Sequence, residues 1–355
     1  MSNKINKLLR YSVQKNTLGS PPSLIFFVTS RCNAHCSHCF NWKNLNQEND
    51  LTLEDIGELS AQLGPMDSLL LSGGEPFLRK DLVEICRLFF ENNKINALSI
   101  PTNGLLPVLI AEETEKILQA ACGKKVFVNI SLDGTEQTHD KIRHVPGAFK
   151  KAIESYHSLA KLKQNHSNLN VGISTTISNV NCEDIFQLIS ELKICVPDLK
   201  SLNLSFLRGL PKNKTYTLPP MNDLIRINER IKKLFPNGRS LIDRTVDETI
   251  FKLKLETLRK KRQILTCQAG KLMGVVDANG DVRLCELLEP IGNLREAPFK
   301  EIWQSKEAEA GRKKIANHQC WCTHECFLFP TILAHVAYYP ILLLRLIRNW
   351  LWTKI

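Results

Sequence analysis

CNAHCSHC, residues 32–39, contains three cysteines, with three residues between the first two and two residues between the second and third. The run LIFFVT at residues 24–29 stands just before it and predicts a buried strand, because its side chains are mostly apolar, β-branched or aromatic. The cysteines therefore lie on the loop that leaves the carboxyl end of a strand. Three neighbouring thiolates form a soft, anionic site that suits an iron–sulfur cluster or zinc.

The spacing of Cys32, Cys36 and Cys39 favours a cluster over zinc and over a disulfide. Structural zinc usually takes four ligands, often from two Cys-x2-Cys pairs, and this spacing fits that pattern poorly. A disulfide is disfavoured because no secretory signal precedes the cysteines. A four-iron cluster held by three cysteines would keep one iron without a protein ligand, and that iron would be open to chemistry.

Cysteine usage along the chain predicts a second metal site and a reducing, cytoplasmic compartment. The 355 residues are enough for one large domain plus a smaller one, and 12 cysteines are many for that length. One group gathers in the last quarter, and the others outside residues 32–39 read as inert buried thiols. The first group is Cys267, Cys285, Cys320, Cys322 and Cys326, and the second is Cys86, Cys122, Cys182 and Cys195.

The net charge of +11 raises the question of a nucleic-acid or membrane partner. Much of the excess is local, at the N-terminus and in the run RKKR at 259–262. Neither stretch has the interleaved aromatic residues of a base-stacking surface, which disfavours nucleic acid. The basic stretches are then explained either as a solvated face or as a site for acidic membrane lipid.

Apolar runs alternate with helix-like stretches, which predicts six parallel strands with five helices between them. Ligands bind at the carboxyl ends of the strands in such sheets. The predicted strands are 24–29, 68–72, 97–101, 125–132, 169–177 and 200–207, and the predicted helices are about 52–64, 81–92, 111–121, 147–163 and 183–193.

Polar or glycine-rich clusters follow several of these strands. A single such cluster is usually a turn. Their recurrence at successive strand ends, with the cysteines at the first, predicts one shared site, in which two glycines would let the backbone approach a ligand closely. The clusters are Gly73-Gly74-Glu75-Pro76, Thr102-Asn103-Gly104, Ser131 with Asp133 and Gly134, Arg143 ten residues later, and Arg208-Gly209.

These motifs resemble the radical S-adenosylmethionine superfamily over about residues 23–210. Its signature is Cys-x3-Cys-x-aromatic-Cys after the first strand of a partial (β/α)6 TIM barrel, with Gly-Gly-Glu after the second; His38 stands here at the aromatic position. The resemblance implies a [4Fe-4S] cluster on Cys32, Cys36 and Cys39. It also implies reductive cleavage of S-adenosylmethionine to a 5′-deoxyadenosyl radical that abstracts hydrogen from a substrate.

The same resemblance implies a role for each strand-end residue. Glu75, with the turn Gly73-Gly74 and Pro76, would hold the methionine amino group. Ser131 would contact the ribose, Arg143 the carboxylate, and Asn103 the nucleoside. Asp133 lines the same mouth and is a candidate proton acceptor for the substrate, with turn capping as the alternative.

The late cysteines resemble the twitch/SPASM extension of the same superfamily. Cys267 and Cys285 flank the predicted hairpin GVVDANGDVRL in the pattern Cys-x12-Gly-x4-Cys, and Cys320, Cys322 and Cys326 follow. Five cysteines can fully ligate only one cubane cluster, so the resemblance implies one auxiliary [4Fe-4S] cluster. Which of the last three cysteines is spare stays open, and a zinc site is the alternative.

The chain is thus predicted to have five parts. The tail contains FLFPTILAHVAYYPILLL followed by arginines and tryptophans, which favours contact with the membrane interface over a clean span because prolines interrupt it. A helix packed on the protein is the alternative. The parts are a basic lead (1–22), the barrel (23–210), a helical connector (211–263), the auxiliary cluster domain (264–327) and the apolar, basic tail (328–355).

Two functional hypotheses follow from these motifs. The first is a radical S-adenosylmethionine oxidoreductase or bond-forming enzyme that acts on a small-molecule, peptide or lipid-linked substrate, with flavodoxin or ferredoxin as reductant. The second is an iron–sulfur electron carrier. The strand-end cluster Gly73-Gly74-Glu75 disfavours the second, because an electron carrier has no use for it. Location is expected to be cytoplasmic, with peripheral contact to the membrane face.

Overall fold

Strand β1 (Ser23–Thr29) is buried along its whole length and pairs with a parallel neighbour on each side. One neighbour is β2 (Ser68–Gly73), with Ser23 opposite Ser68, and the other is β7 (Met273–Val276), with Ser23 opposite Met273. The computed structural model describes residues 19–200, 202–235 and 240–352, so most of the predicted basic lead lies outside it. Strand β1 therefore joins the N-terminal barrel directly to the cysteine-rich C-terminal part.

The six strands predicted for the barrel are confirmed, and they run parallel in sequence order from β1 to β6. Helices lie between them, as a partial (β/α)6 barrel requires. The remaining strands are β3 (Ala97–Thr102), β4 (Lys125–Ser131), β5 (Leu169–Ile177) and β6 (Leu202–Phe206). The helices are α1 (Leu53–Gln62), α2 (Leu82–Asn92), α3 (Pro107–Ala120), α4 (Glu136–Arg143), α5 (Ala148–Lys163) and α6 (Asp184–Cys195).

Helix α4 is not among the helices that the sequence predicts. Its sequence, EQTHDKIR, has one apolar residue in eight, so no helical periodicity of apolar side chains announces it. Helix α1, in contrast, begins at the predicted capping box. Thr52 Oγ1 accepts from the Asp55 amide at 3.1 Å, and Asp55 Oδ2 accepts from the Thr52 amide at 2.8 Å.

Strands β2, β3 and β4 are buried on alternate residues, so only one of their faces lies under the helices. The other face is half-buried and partly polar. There, Asn129 Nδ2 donates to Ser99 Oγ at 3.4 Å, and Asn203 Nδ2 donates to Asn129 Oδ1 at 3.5 Å. Leu70 and Phe127 lie on the same face, so the barrel interior carries polar side chains beside apolar ones, unlike the fully apolar interior of closely packed barrels.

The connector consists of α7 (Met221–Leu234) and α8 (Leu241–Lys260). Helix α8 packs on the edge strand β6, because the Phe251 and Phe206 rings meet edge-on at 6.0 Å and the Lys254 ammonium donates to the Leu204 carbonyl at 3.1 Å. The predicted hairpin follows as β7 and β8 (Asp281–Arg283), with β9 (Gly292–Asn293) beside it.

The C-terminal part is helical after the hairpin. Its helices are α9 (Phe299–Gln304), α10 (Lys306–Ala316), α11 (Glu325–Ala334) and α12 (Tyr339–Trp352). Within the described residues, no one helix is long and apolar enough to cross a membrane. One pair, Glu325–Ala334 with Val336–Asn349, meets that requirement only when taken together, and it is bent by 90°.

Candidate active site

The carboxyl end of α4 holds the cysteine loop in place. The His35 amide donates to the Arg143 carbonyl at 3.2 Å, and the Ser37 amide donates to the Ile142 carbonyl at 2.9 Å. Ser37 Oγ also lies 2.7 Å from His144 Nε2. Backbone groups that a helix end leaves unpaired are therefore satisfied by the loop. The helix missed in the sequence is thus part of the site's scaffold.

The first three cysteine thiols occupy one small, partly apolar environment. Cys36 is buried, and Cys32 and Cys39 pack beside it against Leu105 and Ala148. Burial, together with the neighbouring thiolates, raises the pKa of Cys32 to about 12 and that of Cys39 to about 11. Three such thiolates can share this space only with a cationic partner.

The three thiols are candidate ligands of one cluster. Cys32, Cys36 and Cys39 lie on a single loop and share one environment, as three ligands of a [4Fe-4S] cluster must. Among the described residues, no three histidine, cysteine or acidic side chains converge closely enough to ligate one metal ion.

Gly73 and Gly74 are required by the chain's own packing. A Cβ at Gly73, whose φ is +130°, would lie 2.2 Å from the Thr29 carbonyl oxygen, and a Cβ at Gly74 would lie 2.0 Å from the Arg31 carbonyl oxygen. The Gly74 amide donates to Thr29 at 2.8 Å, and the Glu75 amide donates to Arg31 at 2.7 Å. The glycines bring the end of β2 against the start of the cysteine loop.

Glu75 is buried behind this turn and binds the next strand end. Its carboxylate accepts from Thr102 Oγ1 at 2.8 Å, from the Asn103 amide at 2.7 Å and from the Phe77 amide at 3.3 Å. Burial raises its pKa to about 7, against the lowering effect of these hydrogen bonds. Asn103 Nδ2 in turn donates to Asn33 Oδ1 at 2.8 Å. Pro76, buried, begins the short 3-10 helix Pro76–Leu78.

Asp133 and Arg143 form a buried ion pair next to the cysteine loop. Asp133 Oδ2 accepts from Arg143 Nε at 2.8 Å and lies 2.6 Å from Nη2, while Oδ1 accepts from the Thr176 amide at 2.9 Å. Arg143 Nη1 lies 3.6 Å from Cys36 Sγ. Burial is the largest single effect on the pKa of Asp133 and raises it, but Arg143, the two histidines nearby and the Thr176 amide together bring that pKa down to about 2.

Two histidines surround this pair, and sequence reasoning missed one of them. His38 Nε2 lies 3.9 Å from Asp133 Oδ2, and His139 Nδ1 accepts from the Asp133 amide at 3.0 Å. Burial lowers the pKa of both imidazoles to about 4. His139 was not singled out because it lies on α4, a helix that the sequence does not predict. Ser131, at the end of β4, is half-buried, and among the described residues its hydroxyl has no hydrogen-bond partner.

Four of the five late cysteines line one cavity of about 340 Å³. Gln263 joins two of them, because its Oε1 accepts from the Cys267 amide at 2.8 Å and its Nε2 donates to the Cys320 carbonyl at 2.9 Å. Burial raises the pKa of Cys285 well above its usual range, and Cys322 raises it further. The four are Cys267, Cys285, Cys320 and Cys322, while Cys326 is half-buried near the charges of Glu286 and Arg208.

A buried charged group connects the two cysteine sites. Glu286 Oε2 lies 3.1 Å from Arg208 Nε and 3.1 Å from His324 Nδ1. The Arg208 guanidinium stands 4.5 Å above the centre of the Phe40 ring, which follows Cys39 in the first loop. Glu286 and His324 were not singled out in the sequence. Their only signal is their position beside Cys285, and between Cys322 and Cys326.

Comparisons with known proteins agree with this geometry. Residues 26–192 match the model of the radical SAM superfamily, and residues 267–327 match the SPASM iron–sulfur cluster-binding domain. The chain is 31% identical over 332 residues to an Fe-coproporphyrin III synthase of Methanosarcina barkeri, which covers 86% of this chain and 78% of the relative. It is 27% identical over 310 residues to an AdoMet-dependent heme synthase of the same organism, over 81% of this chain and 83% of the relative.

The solved structure of anSMEcpe with bound AdoMet has the same fold. Its TM-score is 0.60 at 17% sequence identity, over 92% of this chain and 99% of that chain.

Proposed function

Because the chain belongs to the radical S-adenosylmethionine superfamily and carries a SPASM iron–sulfur domain, we propose that this enzyme oxidises a saturated side chain of a carboxylate-bearing tetrapyrrole. The observation that carries the proposal is the similarity to an Fe-coproporphyrin III synthase over 86% of the chain. A second relative, with 27% identity, is also named for a tetrapyrrole product. This class replaces the peptide and lipid-linked substrates that the sequence left open.

The chemistry of a tetrapyrrole restricts where the enzyme would act. When bound, the cluster and S-adenosylmethionine supply a carbon-centred radical that removes hydrogen from an unactivated carbon. The macrocycle of a porphyrin is unsaturated, so the hydrogens open to such removal lie on its saturated side chains. A planar, apolar ring with anionic arms also matches a mouth that contains the Phe40 ring and the Arg208 guanidinium.

We propose the following division of roles at the first cluster. Glu75 and the turn at Gly73-Gly74 hold the amino group of S-adenosylmethionine, and Ser131 binds its ribose. Arg143 keeps a positive charge beside Cys36, where a carboxylate of the cofactor can meet it. Asp133 acts as a positioning residue for Arg143, because both of its oxygens are occupied; this competes with the proton-acceptor role inferred from the sequence.

For the auxiliary cluster, we propose Cys267, Cys285, Cys320 and Cys322 as ligands. They line a common cavity, and Cys326 does not. A cluster at this position can accept the electron that a substrate oxidation releases, with flavodoxin or ferredoxin as the reductant for the first cluster. The electron-carrier hypothesis gains no support from the buried Glu75 and Asn103 contacts, which an electron carrier does not need.

We also propose a location on the cytoplasmic face of a membrane, because α12 has polar side chains toward the protein and apolar side chains toward the exterior. Its polar side chains face α8: Arg345 Nη1 donates to Thr249 Oγ1 at 2.8 Å, and Arg348 Nη2 donates to Glu248 Oε1 at 2.6 Å. Leu342 packs inward against Ile250, but other apolar side chains face outward, with Leu343 57% exposed and Leu344 68% exposed. A chain of net charge +11 with such a face suits anionic lipid.

The test of the proposed activity uses reconstituted protein, S-adenosylmethionine and a reductant without oxygen. Coproporphyrin III, its iron complex and haem are offered in turn. We expect at least one to raise 5′-deoxyadenosine formation above the level without substrate and to return with a changed mass. If none does, while a peptide or lipid does, the substrate class is contradicted.

A further inference from the structure

Arg208 lies where the two cysteine sites meet. It follows β6 at the carboxyl end of the sheet, next to Phe40 of the first cysteine loop and Glu286 of the hairpin region. Its charge is close enough to influence the pKa of His38 on one side and that of Cys326 on the other. A group bound by Arg208 is therefore held between the two proposed clusters.

One end of the Arg208 guanidinium is engaged and the other is open. Nε is buried and ion-paired with Glu286 Oε2 at 3.1 Å, without the geometry of a hydrogen bond, while the side chain as a whole is 25% exposed. Within the part of the chain that the structure describes, no residue accepts a hydrogen bond from its two terminal nitrogens. The guanidinium carries five N–H donors in a fixed fork, so the open end can donate two parallel hydrogen bonds.

Two other arginines of the site region have terminal nitrogens paired within the chain. In Arg143, Nη2 lies against Asp133 Oδ2 and Nη1 lies 3.6 Å from Cys36 Sγ. In Arg283, Nε donates to Asp277 and Nη1 donates to the Leu288 carbonyl. Arg208 differs from both because no described residue accepts a hydrogen bond from either of its terminal nitrogens.

Glu286 and Phe40 restrict this guanidinium before any ligand arrives. The Glu286 side chain is 2% exposed, and its Oε2 stands 3.1 Å from Arg208 Nε and 3.1 Å from His324 Nδ1, so the ion pair is enclosed by the protein. Phe40 supports the flat face of Arg208 from 4.5 Å. A fork held in this way loses little entropy on binding and matches the two oxygens of a carboxylate.

We propose that Arg208 is the anchor for a carboxylate of the substrate, with Glu286 and Phe40 as its positioning residues. This inference rests on the proposed function, because it names the group by which a carboxylate-bearing tetrapyrrole is held. A carboxylate on Arg208 keeps the adjoining saturated chain beside the first cysteine loop. The residue thereby selects substrates whose oxidisable arm ends in an acid.

The inference is tested by binding of coproporphyrin III to the reconstituted holoprotein. Binding is measured by the change in the Soret absorbance of the porphyrin. We expect Arg208→Gln to raise the Kd about 10- to 100-fold, because two charge-assisted hydrogen bonds are lost. Arg208→Lys keeps the charge beside Glu286 but not the fork, and it should give a smaller rise. Arg226→Gln, on an exposed pair with Asp223, is the matched control and should leave the Kd unchanged.

The tetramethyl ester of coproporphyrin III, offered in the same detergent, separates anchoring from a structural role. If Arg208 anchors a carboxylate, Arg208→Gln should weaken binding of the acid and leave the weak binding of the ester unchanged. A structural defect would weaken binding of both compounds. Iron per chain shows whether each variant keeps its clusters. If Arg208→Gln loses iron, the comparison of acid and ester is made with Arg208→Lys instead. An unchanged Kd for the acid in wild-type and Arg208→Gln protein overturns this inference alone, and no binding by the wild type overturns the proposed function as well.

Discussion

Arg143 places a positive charge 3.6 Å from Cys36 Sγ, and Asp133 holds it there. The guanidinium is thus oriented by a carboxylate that solvent does not reach. A buried pair of this kind adds little net stability, but removal of one member leaves an uncompensated charge in a low-dielectric environment. The pair therefore reads as a device that fixes charge next to the cluster loop.

We expect Asp133→Asn to lower the free energy of unfolding by about 3–5 kcal/mol, because it strands the Arg143 charge. Urea unfolding measures this, with Asp223→Asn as the control; that exposed pair should cost about 0–1 kcal/mol. Equal, small effects would contradict the pairing.

Acid should remove the same contribution from the wild type. The pKa of Asp133 falls from 3.8 to about 2 on folding, so its stabilisation is present above pH about 4 and is lost as the pH falls toward 2. Acid unfolding of the Asn variant should be flatter over this window than that of the wild type. A curve of the same steepness would contradict the assigned pKa shift.

Which residues form the site could be predicted better than which residues they contact. Cys32, Cys36 and Cys39 could be identified because their ligand set lies within one loop. The contact between Arg208 and Glu286 could not, because it joins residues 78 positions apart through tertiary packing. The same holds for the pairing of Asp133 with Arg143, which depends on a helix that has no apolar periodicity.

At the scale of elements, the site is a set of strand ends tied to one loop. The turn after β2 donates to that loop through the Gly74 and Glu75 amides, and α4 accepts from it through its last carbonyls. From the sequence, the Gly-Gly turn was expected to let the backbone approach a ligand. In the structure, the two glycines also allow two segments of the chain to approach each other, a contact that composition alone does not reveal.

We expect Gly74→Ala to destabilise the protein by about 2–4 kcal/mol and to reduce iron at the first site, because the new methyl group overlaps the Arg31 carbonyl. Gly57→Ala is the matched control. It lies in α1 with only Leu88 Cδ1 at 4.0 Å, so it should raise stability by about 0.5–1 kcal/mol. Thermal unfolding and iron analysis of both variants check this, and equal effects would contradict the close approach.

At the scale of the whole molecule, the nine strands found in the described part of the chain form one sheet in the order β6-β5-β4-β3-β2-β1-β7-β8-β9. The barrel strands and the hairpin were each predictable from local patterns. Their connection through β1 was not, because parallel pairing between residues about 250 positions apart leaves no local signal. The predicted divisions at 210 and 263 stay predictions, since the sheet continues past both.

The outward apolar face of α12 predicts membrane contact. Leu344→Glu should lower co-sedimentation with phosphatidylglycerol vesicles about tenfold, because a charge replaces the exposed apolar area that would enter the lipid. Ile194→Glu, 83% exposed on α6, is the matched control and should have no effect. Equal sedimentation of both variants, or a dimer that Leu344→Glu dissociates, would contradict lipid as the occupant of this face.

The most direct test of the account is the content of iron, acid-labile sulfide and zinc per chain, measured on protein purified and reconstituted without oxygen. Two cubane clusters predict about eight irons, about eight sulfides and no zinc. About four irons with one zinc would contradict the auxiliary cluster and make the late cysteines a structural site. Zinc without iron would contradict the radical chemistry altogether.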